Sequence, residues 1–135
     1  MYYENKLMCF YDAYLIFNSD RNKHKNTNFI CYEGGIKFYQ DNKVLNNEAL
    51  IYSVEINKHL RRKGYFTKFI RQLYDDSTVR KIGILGVGSI EMDKCIQKIN
   101  FNGNHFFNHG GDYIFAKDFN ICKCHKYVNV AYNKD

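Results

Sequence analysis

Between residues 49 and 74 the hydrophobic period of the chain changes once, and no other stretch restricts the fold as much. Residues 49–57 read Ala-Leu-Ile-Tyr-Ser-Val-Glu-Ile-Asn, a run rich in apolar and β-branched side chains that predicts a strand. Phe66, Phe69, Ile70, Leu73 and Tyr74 then recur at i, i+3, i+4, i+7 and i+8, the apolar stripe of an amphipathic helix. Between them lies Lys58-His59-Leu60-Arg61-Arg62-Lys63-Gly64-Tyr65, a basic turn with one glycine. A strand that enters a helix directly through such a turn is the unit of an α/β fold.

The flanking sequence supplies the partners that unit needs. Leu7, Phe10, Tyr11, Tyr14 and Leu15 have helical spacing, and the polar, basic residues 19–28 read as a loop. Phe29-Ile30-Cys31-Tyr32 and Ile36-Lys37-Phe38-Tyr39 flank Glu33-Gly34-Gly35, a hairpin signal. Residues 81–87 form a short apolar run consistent with a buried strand. Ser89 is placed to cap a helix whose positive end is met by Glu91 and Asp93, with Met92, Cys95, Ile96 and Ile99 on one face. Asn100 stands where a left-handed helix-ending residue is wanted. A second hairpin closes around His109-Gly110-Gly111-Asp112. The order is helix, three strands, helix, strand, helix, two strands. It predicts one α/β domain over 1–118, a mixed central sheet with helices on both faces, and a C-terminal extension over 119–135.

Length and charge bound the function. A chain of 135 residues is of single-domain size. No window approaches the roughly 20 apolar residues of a membrane span, and Met1-Tyr2-Tyr3-Glu4 does not begin a signal peptide. Five cysteines, an odd number without even spacing, suit a reduced cytoplasmic protein. Abundant Lys, Asn, Tyr, Phe and Ile with no Pro or Trp resembles translation of an AT-rich genome, phage or virus included. Host cytoplasm or a virion is the compartment that goes with that origin. The formal charge is +6, and its densest block is Lys58, Arg61, Arg62, Lys63, Lys68 and Arg71, with His59 beside them and no acid among them. Such a block suits an anionic partner: nucleic acid, a membrane surface or a phosphorylated cofactor.

Its position favours the last. The first N–H groups of a helix lack intrahelical acceptors and carry the positive end of the dipole. Gly64 lets a backbone approach an anion closely, and Arg61, Arg62 and Lys63 add charge. Neither Gly-x-x-x-x-Gly-Lys-Ser/Thr nor Gly-x-Gly-x-x-Gly is present.

Arg61-Arg62-Lys63-Gly64-Tyr65-Phe66 resembles the Arg/Gln-x-x-Gly-x-Gly/Ala motif of the GNAT superfamily of acyl-CoA-dependent N-acetyltransferases, with Phe66 at the last small position. Cys95-Ile96-Gln97-Lys98-Ile99-Asn100-Phe101 is similar to the family's Leu-Tyr-x-Lys-x-Gly-Phe, and Tyr113-Ile114-Phe115-Ala116-Lys117 to its closing strand. The resemblance covers roughly residues 29–118 and implies a GNAT-like fold with acetyl-CoA as co-substrate and no metal. The pantetheine arm would pair with the backbone of Val54 and Ile56 in a splay against residues 84–87. The pyrophosphate would sit on Arg61, Arg62, Lys63, Gly64, Tyr65 and Phe66, and a primary amine would attack the acetyl group. Glu55 is the candidate base. Ile96 stands where the family's proton-donating Tyr would be. That departure keeps open a catalytically inactive copy of the fold serving as a structural or interaction module in a larger assembly, such as a viral particle. A basic nucleic-acid-binding protein is a third reading. Cys122-Lys123-Cys124-His125 invites a metal, but lacks the second ligand pair of a structural zinc site.

Overall fold

The computed structural model describes residues 1–117. Their elements are β1 (Tyr2–Glu4), α1 (Phe10–Ser19), α2 (Arg21–His24), β2 (Asn28–Ile30), β3 (Gly34–Phe38), β4 (Glu48–Ile56), a 3-10 turn (Lys58–Leu60), α3 (Tyr65–Asp75), β5 (Lys81–Ile84), α4 (Ile90–Lys98), β6 (Phe107–His109) and β7 (Asp112–Ala116). The strands form one seven-stranded mixed sheet in the order β1-β2-β3-β4-β5-β7-β6. Among these described strands only β1–β2 and β4–β5 pair in parallel.

Register decides which side chains share a face. Phe38 lies opposite Ile51, Ile51 opposite Ile84, and Ile84 opposite Tyr113, so these four point the same way across four strands. On that side α1 stacks Phe17 on Phe38 at 5.0 Å between ring centres. There α3 sets Phe69 edge-on against both Phe10 and Phe38. Tyr74 stacks flat on Phe101 at 4.0 Å, and both rings lean on Phe115. Helix α4 buries Ile96 completely in the same core and meets Tyr113 through Asp93 and Gln97. Among the described residues, then, α1, α3 and α4 all pack on one face, where the sequence reading expects helices on both. The strands explain it. Apart from Ile30, Leu50, Phe107 and Ile114, the side chains alternating away from the core include Lys37, Tyr39, Tyr52, Ser53 and Glu55, with Gly35 and Gly83. Such a face offers less apolar surface to bury than the helical one.

The β2–β3 hairpin forms, but its turn lies over residues 31–33, and Gly34 and Gly35 open β3 instead of making the turn. Gly34 is obligatory for steric reasons, since a Cβ there would lie 1.9 Å from the Glu55 carbonyl oxygen. Glu33 is buried, and its carboxylate accepts the Phe10 N–H at 3.0 Å, anchoring the start of α1 to the hairpin turn.

Other details depart from the sequence reading. The buried face of α1 is Phe10, Ala13, Tyr14 and Phe17, whereas Leu7 precedes the helix and is 93% exposed. Residues 19–28 hold α2 rather than only a loop, because Asp20 accepts the Lys23 N–H as an N-cap. Strand β1 was not anticipated: all three of its residues are exposed and carry no alternation. The left-handed residue after α4 is Asn102, with φ 55°, while Asn100 uses its side chain to accept the Gly103 N–H. The extension 119–135, with Cys122, Cys124 and His125, lies outside the described residues.

Candidate functional site

β4 outlasts its parallel neighbour. The pairing of β4 with β5 runs from Glu48–Lys81 to Ile51–Ile84, and Leu85 N–H donates to the Ile51 carbonyl at 2.9 Å as a last rung. Beyond it the chain turns to the β6–β7 hairpin: Gly86 N–H donates to Asp112 Oδ1 at 2.7 Å and Val87 N–H to the Gly111 carbonyl at 2.9 Å. Meanwhile β4 continues along β3 as far as Gly34–Ile56. The two strands therefore splay, and the edge of β4 facing away from β3 runs free of strand pairing over its last residues.

The splay opens on a groove of about 930 Å³. One wall is the end of β4 (Val54, Glu55, Ile56) with Leu60 and the turn that starts α3 (Arg61, Arg62, Gly64, Tyr65). The other is α4 from its N-cap to its last residue, through Ser89, Glu91, Met92, Lys94, Cys95 and Lys98. Thr67 Oγ1 and Cys95 Sγ, 3.9 Å apart, join α3 to α4 there. Tyr65 stands edge-on to Tyr32 with ring centres 6.0 Å apart.

The turn has the backbone of an anion cradle. φ is −70° at Arg61, +64° at Arg62, negative at Lys63 and +83° at Gly64, before the helix begins at Tyr65. Arg61 itself is extended, with ψ 151°, so the left-handed residues are Arg62 and Gly64, and a turn built on two such residues is a backbone in which N–H groups can gather as a nest around a phosphate. The first helical bond is Lys68 N–H to the Gly64 carbonyl, and Gly64 supplies no side-chain cap. The N–H groups of residues 65–67 thus have no acceptor within the helix. A left-handed arginine costs about 1–2 kcal/mol, which the fold sustains here.

The anticipated site residues are mostly brought together. Val54, Glu55, Ile56, Arg61, Arg62, Gly64, Tyr65 and Phe66 all line the groove. Phe66 is among them although it is 4% exposed and packs in the core. Lys63 is exposed beside them and is not part of the lining. Two cations are already engaged. Arg61 donates Nε–H to the Ile56 carbonyl at 2.9 Å and lies 3.7 Å from Glu55, while Arg62 lies 3.4 Å from Glu91 across the groove. The Glu55 carboxylate is 82% exposed. Ile96 is fully buried and offers the groove nothing. The α4 wall was not anticipated, although Glu91, Lys94, Cys95 and Lys98 follow i, i+3, i+4 and i+7 and could have been read as one stripe.

A second cavity, about 940 Å³, lies near the opposite end of β4 around Arg21. Its guanidinium is spent internally, on Asn18, Gln40, Tyr14 and the carbonyls of Leu45 and Asn46. Among the described residues no group of three or more His, Cys, Asp and Glu could hold a metal, and no helix is long and apolar enough to cross a membrane. No protein-family model, curated protein or solved structure matches the chain.

Proposed function

We propose that the chain binds acetyl-CoA in the groove between β4 and α4 and transfers its acetyl group to a primary amine. The observation that carries this is the splay: a free edge of β4 leads directly into the left-handed turn and the first N–H groups of α3, which have no acceptor within the helix. An extended amide-bearing arm pairs with such an edge as an added strand, and a pyrophosphate suits the nest and the positive end of the helix. Val54 presents its backbone to the arm. The Ile56 carbonyl already accepts from Arg61, so its share in that pairing requires Arg61 to swing toward the phosphates. Arg62, Lys63 and the N–H groups of Gly64, Tyr65 and Phe66 take the pyrophosphate.

In the transfer the amine nitrogen attacks the thioester carbonyl. A C–N bond forms, the C–S bond breaks, and the coenzyme leaves as thiol after one proton moves to sulfur. Glu55, open to solvent at the splay, receives the ammonium proton through water. Titration calorimetry with acetyl-CoA tests the binding, with about a tenfold loss expected in Arg61→Ala/Arg62→Ala. No heat at millimolar acetyl-CoA would overturn it.

One observation favours a second reading, a silent copy of the fold acting as a structural or interaction module. The position of the family's proton donor is Ile96, sealed in the core. Binding of acetyl-CoA without release of free thiol, with or without added amines, would select that reading.

A further inference from the structure

Helix α4 presents two lysines to the groove; of its acids, Glu91 lines the same groove but is paired with Arg62, and Asp93 is turned toward Tyr113. Glu91 faces Arg62 at 3.4 Å, and Asp93 is bound by the Tyr113 hydroxyl and the Gln97 amide. Lys94 and Lys98 are exposed, line the groove, and form no ion pair among the described residues. Four residues apart, they rise about 6 Å along the helix on one face, a spacing at which two like charges disfavour the helix. Here that repulsion is directed into a cavity whose far wall is the nest at 61–66. The 91/94/95/98 stripe meets that wall at two points, Arg62–Glu91 and Thr67–Cys95. A phosphate lodged between two ammonium groups relieves the repulsion, lysine acting as a point charge toward it.

We propose that Lys94 and Lys98 form a second anion subsite, across the groove from the nest, that takes the ribose phosphomonoester of coenzyme A. This rests on the acetyl-CoA reading and adds a ligand selectivity that the nest alone does not supply. A nucleotide carrying a pyrophosphate and a separate phosphomonoester engages both walls, whereas one carrying the pyrophosphate alone engages only the turn.

The test compares coenzyme A with dephospho-coenzyme A by calorimetry on the full chain at low ionic strength. The wild type is expected to bind coenzyme A about tenfold more tightly, the sum of two partly exposed ion pairs. Raising the salt should shrink that ratio. Lys94→Gln/Lys98→Gln is expected to bind both ligands equally, at the affinity the wild type shows for dephospho-coenzyme A, and Lys94→Arg/Lys98→Arg should restore the preference. Equal binding of the two ligands by the wild type overturns the subsite while leaving the acetyl-CoA reading intact. A preference that survives in the double glutamine variant overturns it as well, since the phosphate is then held elsewhere. Binding of neither ligand overturns the acetyl-CoA reading and the subsite with it.

Discussion

Tyr11 and Asp76 tie the start of α1 to the end of α3 through a 2.7 Å hydrogen bond in which the phenol donates. Burial and the carboxylate beside it push the Tyr11 phenol up to about 12 from an ordinary 10.0. Burial also works against the charge on Asp76, but hydrogen bonds from Thr78 and Tyr11 outweigh it and hold this carboxyl below its usual range. The signs follow from proton counting. Between pH 10 and about 12 the folded chain keeps a Tyr11 proton that the unfolded chain gives up, so stability falls as the pH rises through that window. On the acid side the unfolded chain takes up a proton at Asp76 first, and stability falls as the pH drops through the ordinary value of 3.8. Denaturant melts of the wild type and Tyr11→Phe across this range check both. The difference between the two curves should be constant at neutral pH and close between pH 10 and 12. Little of this pairing was legible in the sequence, because nothing at position 11 or 76 announces a contact across 65 residues.

Elements were easier to read wherever burial imposed a period. Helix α3 buries Phe66, Phe69, Ile70 and Leu73, the spacing from which it is predicted. The start of α4 was legible from capping alone, and Ser89 Oγ accepts the Met92 N–H at 3.2 Å. Ser89→Ala is therefore expected to cost about 1 kcal/mol in a denaturant melt, while Ser89→Asp should cost little. Without a burial pattern the reading failed, as at the exposed β1 and at α2, whose one buried residue is Arg21. The candidate site divides in the same way. Its turn could be read locally, whereas the wall formed by Lys94, Cys95 and Lys98 depends on where α4 packs, which long-range contacts settle.

At the scale of the whole molecule the sheet is two-sided in chemistry, with the helices of the described chain gathered on one side. Neighbouring residues should then differ sharply. Ile51, fully buried, lies on the helical face, while Tyr52 is 52% exposed and meets Tyr39 and Lys37 at its ring. Ile51→Ala is expected to cost about 2–5 kcal/mol and Tyr52→Ala under about 1 kcal/mol, measured by equilibrium unfolding. Comparable losses would mean that the two faces are equally packed. The α/β class and most of the element order along the chain followed from the sequence, but the side on which each helix lies did not. Local periodicity says which face of a helix is apolar and is silent on which face of a sheet receives it. The left-handed Arg62 carries a consequence of its own. A loop that folds around its ligand spends association energy on ordering itself, and its on-rate carries that delay. The backbone of the turn at 61–66 is already bent by the left-handed Arg62 and Gly64 and held by Phe66 in the core. Under the proposed function the anion meets a backbone already in place, so differences in affinity among ligands of this turn should show in how quickly each one leaves.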